Sequence, residues 1–361
     1  MSQLVSMPRV DAAMRNLPPA SFAFVMASAI TALGFRIIER DVISLVLFYC
    51  SMGGAFLLTV ATIWRFVRYR ASVISDVKNP TKTFGFFTIV AAANVLGAYL
   101  SSTEFTAFAI ALFVFAALVW LVLTYLLPAL VLFGHGERSV MADVNGSWFL
   151  WVVGTQSVAT AAAITAPSFH PELLGPAAVG LWGVGIALYL LVATLVTLRM
   201  LVNENSPTNL SPTYWIYMGA TAISVLAGSR ILLLPDDLPI MATTGAFVSG
   251  MSYLLWALGL WWIPLLIIFG IWRHGVRRAP LKYETALWSI VFPLGMYSVA
   301  SMFYGVEKNL AFMIGIGHAG IWVAGIVWLL STVAMLRTGF SWWTDGGRGN
   351  PRQPSATTAD A

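Results

Sequence analysis

The sequence predicts an all-α membrane protein. Ten transmembrane helices form five helical hairpins in a quasi-fivefold arrangement around a central pore. Three observations lead there: an extreme apolar composition, basic residues that follow a ten-span topology, and a pattern that recurs five times. Of 361 residues, 59% are hydrophobic and 10% charged, and the mean hydropathy is +0.82. A soluble domain carries roughly a quarter charged residues. These proportions exclude a soluble enzyme, a nucleic-acid binder and a disordered scaffold.

A spanning helix needs about 20 mostly apolar residues. The expected spans run from Ala20 to Phe35, Ile43 to Trp64, Phe84 to Leu100, Phe105 to Phe133 and Trp148 to Ala166. The remaining five run from Ala177 to Leu201, Tyr214 to Leu233, Ala246 to Ile271, Ala286 to Tyr304 and Ala311 to Leu336. Residues 1–15 lack the apolar core and cleavage site of a signal peptide and are expected as a cytoplasmic N-terminal segment. Residues 16–338 form the transmembrane domain. The Gly-, Pro- and Ser-rich residues 339–361 are expected as a disordered cytoplasmic tail. Of the 20 Lys and Arg, only Arg36, Arg40, Arg230 and Lys308 fall on the side opposite the N-terminus. Cytoplasmic loops carry the excess of Lys and Arg, so both termini are expected in the cytoplasm of a multi-pass cell-membrane protein. The formal net charge of +5 is therefore a topology signal, not a nucleic-acid footprint.

The odd-numbered spans resemble one another. Each opens on a helix breaker or polar residue, then an aromatic, then small residues. The aromatics Phe24, Phe87, Trp151, Tyr217 and Phe292 recur at steps of 63, 64, 66 and 75 residues. Repeats of one orientation can surround an axis along the membrane normal. The odd spans, small and weakly polar, are expected to line that axis, and the greasier even spans to face lipid. The same small residues would also suit close helix packing alone.

The chemistry inventory argues for transport without a cofactor. The lone cysteine, Cys50, cannot form an internal disulfide, and no metal-type Cys spacing exists. No HExxH, Walker A or facing His pair is present, so no enzyme, no cofactor and no metal are expected. No carboxylate, Lys or Arg falls clearly at the bilayer midplane, which argues against a cation channel or proton pump.

Four passages carry a resemblance to a known family. They are Pro18-Pro19 with Phe22-Ala-Phe-Val-Met-Ala, Asp76-Val-Lys-Asn-Pro80 with Phe84-Gly-Phe-Phe, Gly146-Ser-Trp-Phe-Leu-Trp-Val-Val-Gly-Thr-Gln156, and Leu287-Trp-Ser-Ile-Val-Phe-Pro-Leu-Gly-Met-Tyr297. Over residues 16–338 the chain resembles the tellurite-resistance and dicarboxylate transporter family, which includes the plant guard-cell slow anion channels. The resemblance implies ten helices around a pore, a homotrimer, and small inorganic or dicarboxylate anions as partners alongside the lipid bilayer. It also implies a gate: a helix-9 phenylalanine, here Phe292, followed by Pro293. In span 1, Met26-Ala-Ser-Ala-Ile30 departs from the family's Gly-containing stretch, which implies a narrower pore.

Aligning the repeats under that resemblance gives the expected pore lining: Phe24, Ser28, Phe87, Asn94, Trp151, Thr155, Gln156, Tyr217, Thr221, Ser224 and Ser298. The function expected is anion transport through a central pore gated by Phe292. The alternative is a proton-coupled C4-dicarboxylate (malate-like) carrier or a sulfite or tellurite exporter. That alternative needs a proton relay, for which His318, Glu104 and Glu284 are the candidates.

Overall fold

The structure, a computed structural model, describes residues 10–134, 139–207 and 209–344. Among the described residues there is no strand. Inner helices α1 (Ala23–Ile37), α3 (Phe87–Leu100), α5 (Phe149–Thr165), α7 (Ile216–Ile231) and α9 (Trp288–Glu307) alternate with outer ones. The outer helices are α2 (Asp41–Arg68), α4 (Thr106–Gly134), α6 (Pro171–Val202), α8 (Pro239–Ile271) and α10 (Ala311–Thr344). Burial separates the two layers. In the apolar stretches of α1, α3, α5 and α9, between 72% and 89% of residues are buried, against 17–33% in the outer helices. In α7 every residue but Arg230 is buried.

Each inner helix packs against the outer helix that follows it, which makes five hairpins. The inner helices also touch one another in a closed cycle, α1 to α3 to α5 to α7 to α9 and back to α1. Glycine lets two of these seams close. A Cβ on Gly154 of α5 would stand 2.6 Å from the Phe87 ring of α3, and one on Gly219 of α7 would stand 2.8 Å from Pro293 of α9. Between helices in a membrane, such small residues provide close packing that hydrophobicity cannot.

The repeat is visible in the backbone. All five inner helices are preceded by a 3-10 turn: Pro19–Phe22, Thr83–Phe86, Gly146–Trp148, Pro212–Trp215 and Thr285–Leu287. Proline suits the first turn because its missing N–H would be unpaired there anyway. The α1–α2 and α9–α10 connections share one geometry. Glu39 and Asn309 take positive φ (57° and 54°), and Arg40 N and Leu310 N bond back to Phe35 O and Gly305 O, each at 2.8 Å.

Several boundaries differ from expectation. α6 and α8 start at Pro171 and Pro239, ahead of the expected Ala177 and Ala246, because a proline opens each helix. α10 runs to Thr344, so the start of the expected tail is helical, and residues 345–361 lie outside the described residues, as do residues 1–9. A short helix, Arg70–Val77, occupies the link between α2 and α3. Nine helices among the described residues are long and apolar enough to cross a membrane; α7, with 16 residues, is not one of them.

Candidate functional site

The short inner helices create a recess. At 1.5 Å per residue, the 14 residues of α3 rise about 21 Å, less than the roughly 30 Å hydrocarbon layer. The 28 residues of α2 and 32 of α6 extend well past it. A polar cavity of 1280 Å³ lies at the starting ends of α1, α3, α5 and α7, where Pro18, Pro19, Lys82, Gly85, Asn145, Ser147, Ser211 and Thr213 line it. The turn before α9 packs against the turns before α1 and α7. Helix N-termini carry partial positive charge and unpaired N–H groups, so their convergence favours an anion.

The cavity's charged side chains, Arg15, Arg65, Lys82 and Arg199 against Asp11, Asp76 and Asp143, leave only a slight positive excess. Arg65 of α2, 5% exposed, is paired with Asp76, and its Nε donates to the Arg15 carbonyl at 3.1 Å. Lys82 also donates to Asp76, at 3.0 Å. One carboxylate thus serves two cations. Arg199, in the last turn of α6, lines the cavity as well. At the other ends of the inner helices, Arg36 lies 5.0 Å over Tyr99 and Arg230 lies 3.6 Å over Phe303.

Phe292 is the fifth residue of α9 and is wholly buried. Pro293 follows it inside the helix and packs on Gly219. Proline has no N–H to give the Ser289 carbonyl, so the α9 ladder loses one bond beside Phe292. Of the span-1 residues expected to narrow the pore, Met26, Ala27 and Ala29 are wholly buried.

The other expected lining residues are brought into the buried interior, but most are held by neighbouring helices. Ser28 accepts the Trp328 indole N–H of α10 at 2.8 Å. Thr155 accepts the Trp120 indole of α4 at 3.0 Å, and the Trp151 indole donates to Thr124 of α4 at 2.7 Å. Gln156 Nε2 donates to the Trp182 carbonyl of α6 at 3.0 Å. The Tyr217 hydroxyl bonds to Thr197 and the Ala193 carbonyl, both on α6. Thr221 and Ser298 lie against Gly259 of α8 and Gly320 of α10, and bond to Met218 and Leu294 carbonyls of their own helices. Ser224 bonds to the Ala220 carbonyl, while its own carbonyl accepts the Trp182 indole. Phe24 meets Trp288 of α9 edge-on at 4.8 Å. Phe87 lies against Gly154, and Asn94 donates to Ser157 of α5 at 2.9 Å; these two join one inner helix to the next.

The repeated aromatics do not share a register. Counted from the first residue of each inner helix, Phe24, Phe87, Trp151, Tyr217 and Phe292 stand at positions two, one, three, two and five. At 100° per residue they point in different directions. The relay candidates are placed outside the helix ring. His318 is exposed on outer helix α10, Glu104 is exposed in the α3–α4 link, and Glu284 pairs with Arg273 at 2.9 Å. Beside it, burial raises the Tyr283 phenol above its ordinary range, so it stays neutral and accepts the Trp288 indole at 3.0 Å.

Sequence reasoning missed the vestibule. The basic loop that holds Arg65 and Lys82 was compatible with gathering anions at an inner mouth as well as with orienting the chain, but the cavity that joins them to Arg199 was not legible, although the run from Arg65 to Lys82 already held Asp76 as a partner for two of them.

Two layers of apolar helices with a buried inner ring and a slightly basic mouth define a multi-pass membrane transport protein. Residues 16–336 match the SLAC1 family, described as voltage-dependent anion channel, and the chain belongs to that family. An uncharacterized membrane protein of Mycobacterium tuberculosis is 46% identical over 149 residues, 41% of this chain and 75% of the relative. An uncharacterized transporter of Methanocaldococcus jannaschii is 26% identical over 326 residues, covering 88% of this chain and 90% of the relative. The sulfite efflux pump SSU1 of Trichophyton rubrum is 21% identical over 343 residues, covering 88% and 89%.

Proposed function

We propose that residues 16–338 conduct small anions along the axis enclosed by α1, α3, α5, α7 and α9, and that Phe292 is the gate. The observation that carries the reading is the closed cycle of inner helices with Phe292 wholly buried and a slightly basic vestibule at the helices' starting ends. Moving an aromatic through an off-rotamer state costs roughly 0.5–1.5 kcal/mol. The break at Pro293 gives α9 local freedom where that movement occurs. The protein works in the cell membrane as a homotrimer with both termini cytoplasmic, so the vestibule is its inner mouth. Sulfite belongs among the anions to test, since relatives are named sulfite efflux pumps.

The second reading is a proton-coupled C4-dicarboxylate carrier or a sulfite or tellurite exporter; the relatives' names favour sulfite export and say nothing of protons. It lacks a relay inside the ring, because His318, Glu104 and Glu284 are exposed or ion-paired. The test is flux of chloride, nitrate, malate and sulfite in proteoliposomes, with voltage and pH gradient set independently. The expected flux follows voltage and is indifferent to the pH gradient. Flux that requires the pH gradient selects the carrier, and no flux of any of these anions overturns the proposal.

A further inference from the structure

A second cavity, of about 520 Å³, lies outside the helix ring. Phe66 near the end of α2, Ile74 and Val77 of the linking helix Arg70–Val77, and Leu130 of α4 give it an apolar wall. Arg70 and Lys78 complete that wall, and among the described residues no carboxylate lines it. Arg70, Ile74 and Lys78 stand at intervals of four residues, so they share one face of the linking helix, and all three are exposed. The acidic residue of this helix is turned the other way: Asp76 is buried and holds Arg65 and Lys82 in the vestibule.

Depth places the hollow at the lipid headgroups. The 28 residues of α2 rise about 42 Å. The hydrocarbon layer is roughly 30 Å thick, and roughly 40–45 Å with its headgroups. The end of α2, where Phe66 sits, therefore stands at headgroup level. About one turn deeper, Ile63 of α2 and Leu126 of α4 are exposed, so the apolar wall continues toward the bilayer core. Orienting the chain needs cytoplasmic charge but no cavity. A basic pocket between spanning helices on the cytoplasmic side matches an anionic headgroup. We infer that this hollow binds an anionic phospholipid of the cytoplasmic leaflet, with Arg70 and Lys78 flanking its phosphate and its acyl chains on Phe66, Ile74 and Leu130. The inference rests on the membrane-spanning fold and the proposed cytoplasmic termini, and stands apart from the anion-transport reading.

The test is native mass spectrometry of the purified full-length protein, titrated in detergent with phosphatidylglycerol or phosphatidylcholine of identical acyl chains. Wild type is expected to bind phosphatidylglycerol saturably, with an apparent Kd about tenfold below that for phosphatidylcholine. Arg70→Gln combined with Lys78→Gln should bring the two lipids within about twofold of each other. Both side chains are exposed, so this variant is expected to fold. Arg277→Gln combined with Lys282→Gln removes the same charge from the α8–α9 link and should keep the wild-type preference. Equal loss in that control, or a preference retained without Arg70 and Lys78, overturns the site. Inorganic phosphate at matched ionic strength should not displace the lipid, because it makes no use of the apolar wall; displacement by phosphate overturns the lipid assignment. So does a variant that lowers the number of copies per particle with lipid binding intact, since the face would then be a contact between copies. Lipid preference without anion flux sinks the transport reading alone, whereas voltage-driven flux with no lipid preference in wild type sinks the site alone.

Discussion

At the scale of single residues, buried polar groups decide the structure around the vestibule. Arg65 and Asp76 are 5% and 6% exposed, and each satisfies the other. Asp76→Ala would leave a buried guanidinium and Lys82 without their carboxylate. Breaking a buried pair costs about 3–5 kcal/mol, so a clear fall in melting temperature is expected, larger than for Lys82→Ala, whose side chain is 54% exposed. Equal, small effects of the two variants would contradict the ion-pair account. The residue types of the inner helices were legible in the sequence, but their directions were not. A periodic pattern reports direction only when one helix face meets a different solvent. In α7 all faces but one position are covered by protein, so Thr221 and Ser224 carry no directional signal.

At the scale of elements, the outer helices are latched to the ring by indoles. Trp120 of α4, Trp182 of α6, Trp256 of α8 and Trp328 of α10 each donate an N–H to the inner helix of the next hairpin. The last of these closes the chain's end onto its beginning, 300 residues apart. Interhelical hydrogen bonds in membranes are worth about 0.6 kcal/mol on average. Trp328→Phe and Ser28→Ala should therefore each destabilise modestly, and the double variant should cost less than their sum in a thermal-unfolding cycle. Full additivity would count against the latch. Gly146→Ala is expected to be far more damaging, since a Cβ there would stand 2.4 Å from the Thr213 backbone, which cannot yield as a side chain can. Its folded yield by size-exclusion chromatography should drop sharply. The existence and pairing of these elements followed from apolar run length and the breaker at each odd span. Their ends followed less well: the starts of α6 and α8 are marked in the sequence by Pro171 and Pro239, whereas the short reach of the inner helices, such as the 16-residue α7, is set by packing and carries no local signal.

At the scale of the whole molecule, two claims can be separated: how the chain crosses the membrane and what passes through it. Lys78 lies between α2 and α3, and Asn309 between α9 and α10. In a Cys50→Ser background, Lys78→Cys and Asn309→Cys should be labelled by an impermeant maleimide from opposite sides, Asn309→Cys from outside. Labelling of both from one side would overturn the topology. The central claim is that Phe292 closes an anion pathway, and voltage-driven anion current through reconstituted wild type and Phe292→Ala tests it most directly. The expected result is a rise of about tenfold or more in the variant, equivalent to removing about 1.4 kcal/mol from the barrier. A folded Phe292→Ala protein whose current matches or falls below wild type would contradict it.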